Sequence, residues 1–370
     1  LDIENTFSSC KRRMIHLKVG RVKSVEKEGK LIKAQVEISG SSTLALAFPE
    51  ICGEVQPGDE VVVNTTGVDL NLGTGGYSFI LWNLHRLPDI EGGKGHIMKL
   101  RYTPLQIRCL SVEEEESPFH EKLMEASSLE GMPCLIGSLH SQLAPLAITL
   151  KKVNPQIKIA YIMTDGGALP FQFSHLARFL KERKFIDYAI TCGNSFGGDY
   201  EAVNVASALV ASKVALNVDI CIVVKGPGIV GTNTLLGHTG VEQGEIANTV
   251  KALSGIPILV PRISFKDKRE RHRGLSHHFI TVLSHILLFK AVIPLPSLSE
   301  AEMSYLWNQI EEKSLRERHD FKVLEVGEVV KWLDELPFEV TTMGRSYRED
   351  RAPFLSAEAS AKLALTFQEG

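Results

Sequence analysis

The sequence predicts an α/β protein with a doubly wound, mostly parallel C-terminal sheet and a small N-terminal β-barrel-like domain. Three observations carry that expectation. From Pro133 onward the short apolar runs CLIGSL, IKIAYIM, DYAITC, DICIVVK and IPILV alternate with longer amphipathic stretches. That alternation is the pattern of parallel strands joined by helices. Before residue 112 the apolar runs are short, rich in Val and Ile, and punctuated by Gly and Pro, as in small sandwiches and barrels. Between them lies the acidic run Glu113 to Glu116, followed by Ser117-Pro118, which reads as a solvated linker or a first helical turn. The predicted bounds are 15–112 for the all-β domain and 130–370 for the Rossmann-like domain.

Taken in order, the first stretch, LDIENTFSSCKRRM, carries charge but no apolar core, so an export signal is not expected. Six β runs follow: IHLKVGRVKSVEKE, LIKAQVEI, TLALAF, DEVVVNTT, YSFILWNL and IMKLRYTPLQIRCL. In VQPGDEVVVN, Pro57 and Gly58 supply a tight turn. The tract GVDLNLGTGGYS reads as a long connection, since no helix follows to bring a dipole to a phosphate. The apolar segment Phe279 to Leu298 is broken by Ser284, His285, Lys290, Pro294 and Pro296 and is not expected to span a bilayer.

Composition narrows the class. The 370 residues carry a net charge of -3, which argues against a protein that coats nucleic acid. The six cysteines, at 10, 52, 109, 134, 192 and 221, are scattered and form no CxxC pair. That usage suits a reducing cytoplasm, without a disulfide framework or zinc knuckle.

The organising stretch is Asp219 to Gly240, DICIVVKGPGIVGTNTLLGHTG. A buried strand runs into a glycine-rich loop and then toward a helix near Glu242, which is where open α/β sheets bind ligands. The other runs also end in polar tips: His140-Ser141, Thr164-Asp165-Gly166-Gly167, Cys192 to Asp199, and Pro261 to Ser264. Parallel strands end on one edge, so these tips are expected to converge there.

The motifs HSQLAP, YIMTDGGALP, TCGNSFGGDYEAVN, KGPGIVGT and PRISFKDKRERHRGLSHH resemble a bacterial protein family catalogued only as a domain of unknown function. The resemblance covers nearly the whole chain. It implies a bacterial cytoplasmic protein and brings no activity, cofactor or catalytic residue, so the chemistry rests on the residues themselves.

Gly226-Pro227-Gly228-Ile229-Val230-Gly231 matches G-x-G-x-x-G after a strand, but the helix does not open within the turn and no acid ends the next strand. Read as a Walker loop, it has Thr232 where the lysine should stand. What remains is an anion site formed by backbone amides at Gly226, Gly228 and Gly231 with Thr232, or a purely structural connection. The second glycine loop offers Asn194, Gly197 and Asp199, the last either as a ligand contact or as a helix N-cap. Cys192 reads as a buried structural thiol rather than a nucleophile. Arg271 and Arg273 are expected to clamp an anion, with a solvated loop as the plain alternative.

Asp165, His272 and His140 are the candidates for proton exchange. No HExxH or HxH pattern occurs, and the adjacent His277 and His278 would point about 100° apart on a helix. A metal held from separate loops by His140, Asp165, His238 or His272 stays open, and no cofactor is specified. The expected function is binding of an anionic, phosphorylated or carboxylated, small molecule at the strand C-terminal edge, as a hydrolase or transferase. The alternatives are a non-catalytic sensor, or a nucleic-acid binder using the β domain and KDKRERHR, although that tract has no interleaved aromatics. No membrane partner is expected; a homo-oligomer stays open.

Overall fold

The computed structural model describes residues 14–88 and 94–368, and Cys10 lies outside them. Contacts divide the chain into two compact units, residues 1–92 and 93–370. The first holds five strands: β1 (Leu17–Glu28), β2 (Leu31–Ile38), β3 (Ser41–Ala47), β4 (Glu60–Asn64) and β5 (Ser78–Asn83). They close into a barrel in the order β1-β2-β3-β5-β4. The short runs rich in Val and Ile supply its core by burying alternate side chains. Val22, Ile32, Ala34, Val36, Val61, Val63 and Ile80 point inward, and the intervening polar residues face out. Cys52 and Val55 plug the same core from the β3–β4 connection.

The sixth expected barrel run behaves differently. It folds into a hairpin, β6 (Ile97–Lys99) and β7 (Ile107–Cys109), that belongs to the second unit. The division therefore falls near 92, not 112. The cause is Lys99. Its buried ammonium binds the carbonyls of Thr191 (3.0 Å) and Ser195 and the Glu201 carboxylate (2.5 Å). A lysine on a short strand gives no local sign that it will be buried against a loop some ninety residues away.

The second unit is the predicted α/β domain. Six strands form one sheet: β8 (Pro133–Ile136), β9 (Ile159–Thr164), β10 (Tyr188–Cys192), β11 (Tyr200–Ala202), β12 (Ile220–Lys225) and β13 (Ile256–Leu259). All pairings are parallel, in the order β11-β10-β9-β12-β8-β13. Strands buried on both faces read as unbroken apolar runs, which is why they stood out in the sequence. Helices Leu143–Val153, His175–Glu182 and Ala352–Leu365 pack on one face, against Leu135, Tyr161, Met163, Ile222 and Val224. Helices Val205–Val214 and Glu242–Ala252, with the helical segment 277–286, cover the other, against Ile136, Ile162, Ile190 and Val223. The sheet is doubly wound.

Strand order positions the site. β12 sits between β8 and β9, yet its loop leads to a helix on the opposite face from the helices that follow β8 and β9. Neighbouring loops that part to opposite faces open a crevice above the strand tips. Among the described residues no helix is long and apolar enough to cross a membrane.

Candidate functional site

The tip of β12 is held by its own lysine. Lys225, 2% exposed, donates to Thr239 O (2.7 Å) and lies 3.5 Å from the Glu242 carboxylate at the first turn of the next helix. Burial lowers its pKa, partly offset by Glu242. The positive charge here is thus matched by a carboxylate of the same loop and helix.

The glycine loop is equally self-contained. A Cβ at Gly226 would collide with the carbonyl oxygen of Ala168, and one at Gly167 would collide with that of Gly226. These glycines let the β9 and β12 loops pass backbone against backbone, a packing reason for Gly. Gly228 has φ 107 and is exposed. Thr232 donates its amide (2.8 Å) and hydroxyl (2.9 Å) to Gly237 O, so neither is turned to a ligand. Gly231 contributes position instead, since a Cβ there would touch the rings of His278 (3.3 Å) and the Cβ of His238 (3.4 Å).

The second loop splits. Asp165 is exposed at the β9 tip and accepts from the Asn194 backbone amide (3.1 Å) and side chain (3.3 Å). Asn194 in turn accepts from Leu100 N (3.0 Å). Gly197 donates to the Glu201 carboxylate (2.8 Å). Asp199 leaves the carboxyl edge altogether: it accepts from Ala189 N (2.8 Å) near the start of β10 and pairs with Lys181 (3.1 Å). It is not an N-cap either. The extra strand β11 delays the helix to Val205, and Asn204 caps it through Ser207 N (2.9 Å). Cys192 is buried, with its thiol pushed up to about 12 chiefly by burial.

His140 is half-buried between elements. Its Nδ1 lies 3.1 Å from Lys225 O, which can only accept, so this nitrogen carries the proton. Nε2 then accepts from Ser174 Oγ at 2.6 Å, while Ser174 also caps its helix through Ala177 N (3.0 Å). Burial lowers the ring to about 4. His140 is a neutral brace with both nitrogens used.

The concentration of unmatched groups lies one strand over, beyond β13. Short strands β14 (Ile263–Ser264) and β15 (Gly274–Leu275) pair and close a loop whose base is crowded with imidazoles. His272, His277 and His278 each bring a ligand nitrogen within 4.8 Å of the others. His238, from the glycine loop, stacks on His278 with ring centroids 3.8 Å apart and planes at 13°. His238 is 7% exposed, with the Leu235 backbone as its one polar neighbour and no well-formed hydrogen bond at either nitrogen; Nε2 of His277 has no partner. His272 Nδ1 lies 2.7 Å from Ser276 Oγ. The adjacent pair His277 and His278 does come together, with ring centroids 4.3 Å apart at the first turn of a five-residue helix that Ser276 caps.

Arginines surround these rings. Arg262, 5% exposed, sits in the short link between β13 and β14, with Nη1 3.5 Å from His278 Nδ1. Asp267 receives three guanidiniums: Arg269 at 2.9 Å, Arg345 at 3.6 Å and Arg262 at 3.7 Å. Asp350 receives Arg345 (3.4 Å) and the Ser264 hydroxyl (2.6 Å). Burial alone would raise the Asp267 carboxyl, but hydrogen bonds from Arg269 hold it well below the usual range. Burial, reinforced by Arg262 and Arg269, lowers His272 to about 3. Burial, with His238, His277 and Arg262, lowers His278 to about 2, and Arg262 itself falls to about 10, chiefly through burial. At neutral pH the four imidazoles are uncharged.

The predicted arginine clamp divides. Arg271 is exposed but close enough to help lower His277 and Arg262. Arg273 turns away, its guanidinium 5.4 Å from the centroid of the Tyr305 ring. Arg262 lies in the polar tip Pro261 to Ser264 without having been singled out there, and Arg345 and Asp350, some eighty residues further on, gave no local signal.

Fold and site together define an α/β protein with a small β barrel and a histidine–arginine cluster at the carboxyl edge of its parallel sheet. The chain belongs to the family described as "Protein of unknown function (DUF3866)", whose profile matches residues 44–361. No curated protein matches it.

Proposed function

We propose that the protein binds an anionic small molecule, phosphorylated or carboxylated, at the carboxyl edge of the sheet and acts on it as a hydrolase or transferase. One observation carries the reading: three guanidiniums, Arg262, Arg269 and Arg345, share Asp267, with Asp350 beside Arg345, and Arg271 adds further positive charge near the buried Arg262. A buried guanidinium is costly unless its charge is matched, and a bound anion would supply the missing negative charge. The glycine loop contributes enclosure through Gly231 and His238 rather than amide donors. Proton exchange falls to a neutral imidazole; His238, with no well-formed hydrogen bond at either nitrogen, suits that role better than Asp165, which is engaged by Asn194. The free thiols of Cys134 and Cys221, register partners on adjacent strands, suit a reducing cytoplasm.

The test is titration of inorganic phosphate and of citrate into wild type, Arg262→Lys and Arg273→Lys at fixed ionic strength. Lysine keeps the charge but loses the planar fork, so Arg262→Lys should weaken binding by about 10- to 100-fold, the range of a charge-assisted hydrogen bond. Arg273→Lys should match wild type. Saturable binding that is equal in all three proteins, or absent from wild type, would sink the proposal.

A further inference from the structure

We infer that His272, His277 and His278 form a binding site for one borderline divalent metal ion of the zinc type, with an open position toward the arginines. The inference shares its location with the anion reading but rests on the histidine nitrogens, not on the guanidiniums.

Three features point to a metal. First, the three donor nitrogens lie within 4.8 Å of one another. Metal–imidazole bonds of about 2.0–2.1 Å at tetrahedral angles place donors about 3.4 Å apart, a gap that small ring rotations close. Second, the donors are open. His277 Nε2 is buried with no hydrogen-bond partner. Arg262 Nη1 is 3.5 Å from His278 Nδ1, too long to fix that ring's tautomer. Buried polar atoms are normally paired, and unpaired ones in a cluster call for a missing partner.

Third, the surrounding shell is of the right kind. His272 Nδ1 can donate to Ser276 Oγ at 2.7 Å, which directs the lone pair of Nε2 away from the serine. Ser276 Oγ also accepts from His278 N (3.3 Å), so one hydroxyl orients one ligand and the helix turn that carries the other two. Holding a ligand histidine through its second nitrogen is the usual arrangement around protein-bound metals.

The donor set names the class of ion. Three neutral imidazoles, with no carboxylate or thiolate, suit zinc, cobalt, nickel or copper and disfavour magnesium and calcium. Three protein ligands leave a fourth position for water or for an oxygen of the anion, the arrangement of catalytic rather than structural sites. His238 stacks on His278, one of the three ligands. The nearby guanidiniums repel a cation, and a bound anion would offset that repulsion; metal and anion should therefore bind with positive coupling.

The experiment uses the full chain stripped with a chelator and titrated with Co(II) chloride, read by visible absorption and by calorimetry without phosphate. One equivalent should bind with the intense visible bands of a low-symmetry site. Ser276→Ala should weaken binding by about 10- to 100-fold, the range for an orienting residue, and His272→Ala or His277→Ala by more than that. His285→Ala, at an exposed histidine outside the cluster, should change nothing. A stripped wild-type chain that takes up no Co(II) overturns the site whatever the variants do. So does uptake that His272→Ala and His277→Ala, each checked for folding by near-UV circular dichroism, leave unchanged. Phosphate binding without metal binding sinks the metal site alone, whereas metal binding with phosphate indifferent to Arg262→Lys sinks the anion reading alone.

Discussion

The glycine loop after β12 and the histidine–arginine tract after β13 meet at one sheet edge but resolve their polar groups in opposite ways. In the glycine loop, Thr232 bonds Gly237, Lys225 bonds Thr239 and faces Glu242, and Gly226 fits against Ala168. The loop closes on itself. In the tract beyond β13, His277 Nε2 is left unpaired, His238 leans in from the end of the glycine loop without a well-formed bond, and guanidiniums crowd Asp267, with Arg345 and Asp350 arriving from near the C-terminal end of the chain. A motif can look like a ligand cradle because its glycines are needed for chain crossing. An unpaired buried group is better evidence of a ligand than a familiar spacing.

The comparison can be broken at four places. The largest effect is expected at Gly226. Gly226→Ala sets a Cβ into the Ala168 carbonyl and should cost about 3 kcal/mol or more, measured by denaturant unfolding. A stable, phosphate-blind Gly226→Ala protein would instead return the anion to the glycine loop.

Asp267→Asn comes next. It removes the carboxylate shared by three guanidiniums and should lower stability by about 3 kcal/mol. In the same protein phosphate should bind more tightly, because one matching negative charge has gone. Weaker phosphate binding would mean that Asp267 shapes the site more than its charge opposes the anion.

His140 gives the third effect, in pH. Its folded value of about 4 lies below the unfolded value of about 6.5, so between these limits the unfolded chain holds the extra proton. Stability is fully present above about pH 6.5 and falls as the pH drops toward 4, by at most about 1.4 kcal/mol per pH unit. His140→Gln should flatten that slope between those limits, and an unchanged slope would deny that the brace is neutral. The smallest effect is Thr232→Ala, an exposed position: stability within about 0.5 kcal/mol and unaltered phosphate affinity.

The sequence by itself determined the fold class and the gathering of the polar strand tips at one edge of a parallel sheet. Val22, Val36 and Val61 alternate with polar neighbours, and Ile220 to Val224 form an unbroken apolar run; both are local patterns with one economical burial. His272 was legible as a candidate because it follows a strand of the same sheet. Tertiary structure decided the rest. β12 lies between β8 and β9, Lys99 draws its hairpin into the α/β unit, and β11 carries Asp199 away from the carboxyl edge. Only the folded loops bring His238 onto His278 and Arg345 onto Asp267. Such meetings depend on loop paths and strand order, which nearest-neighbour spacing does not encode.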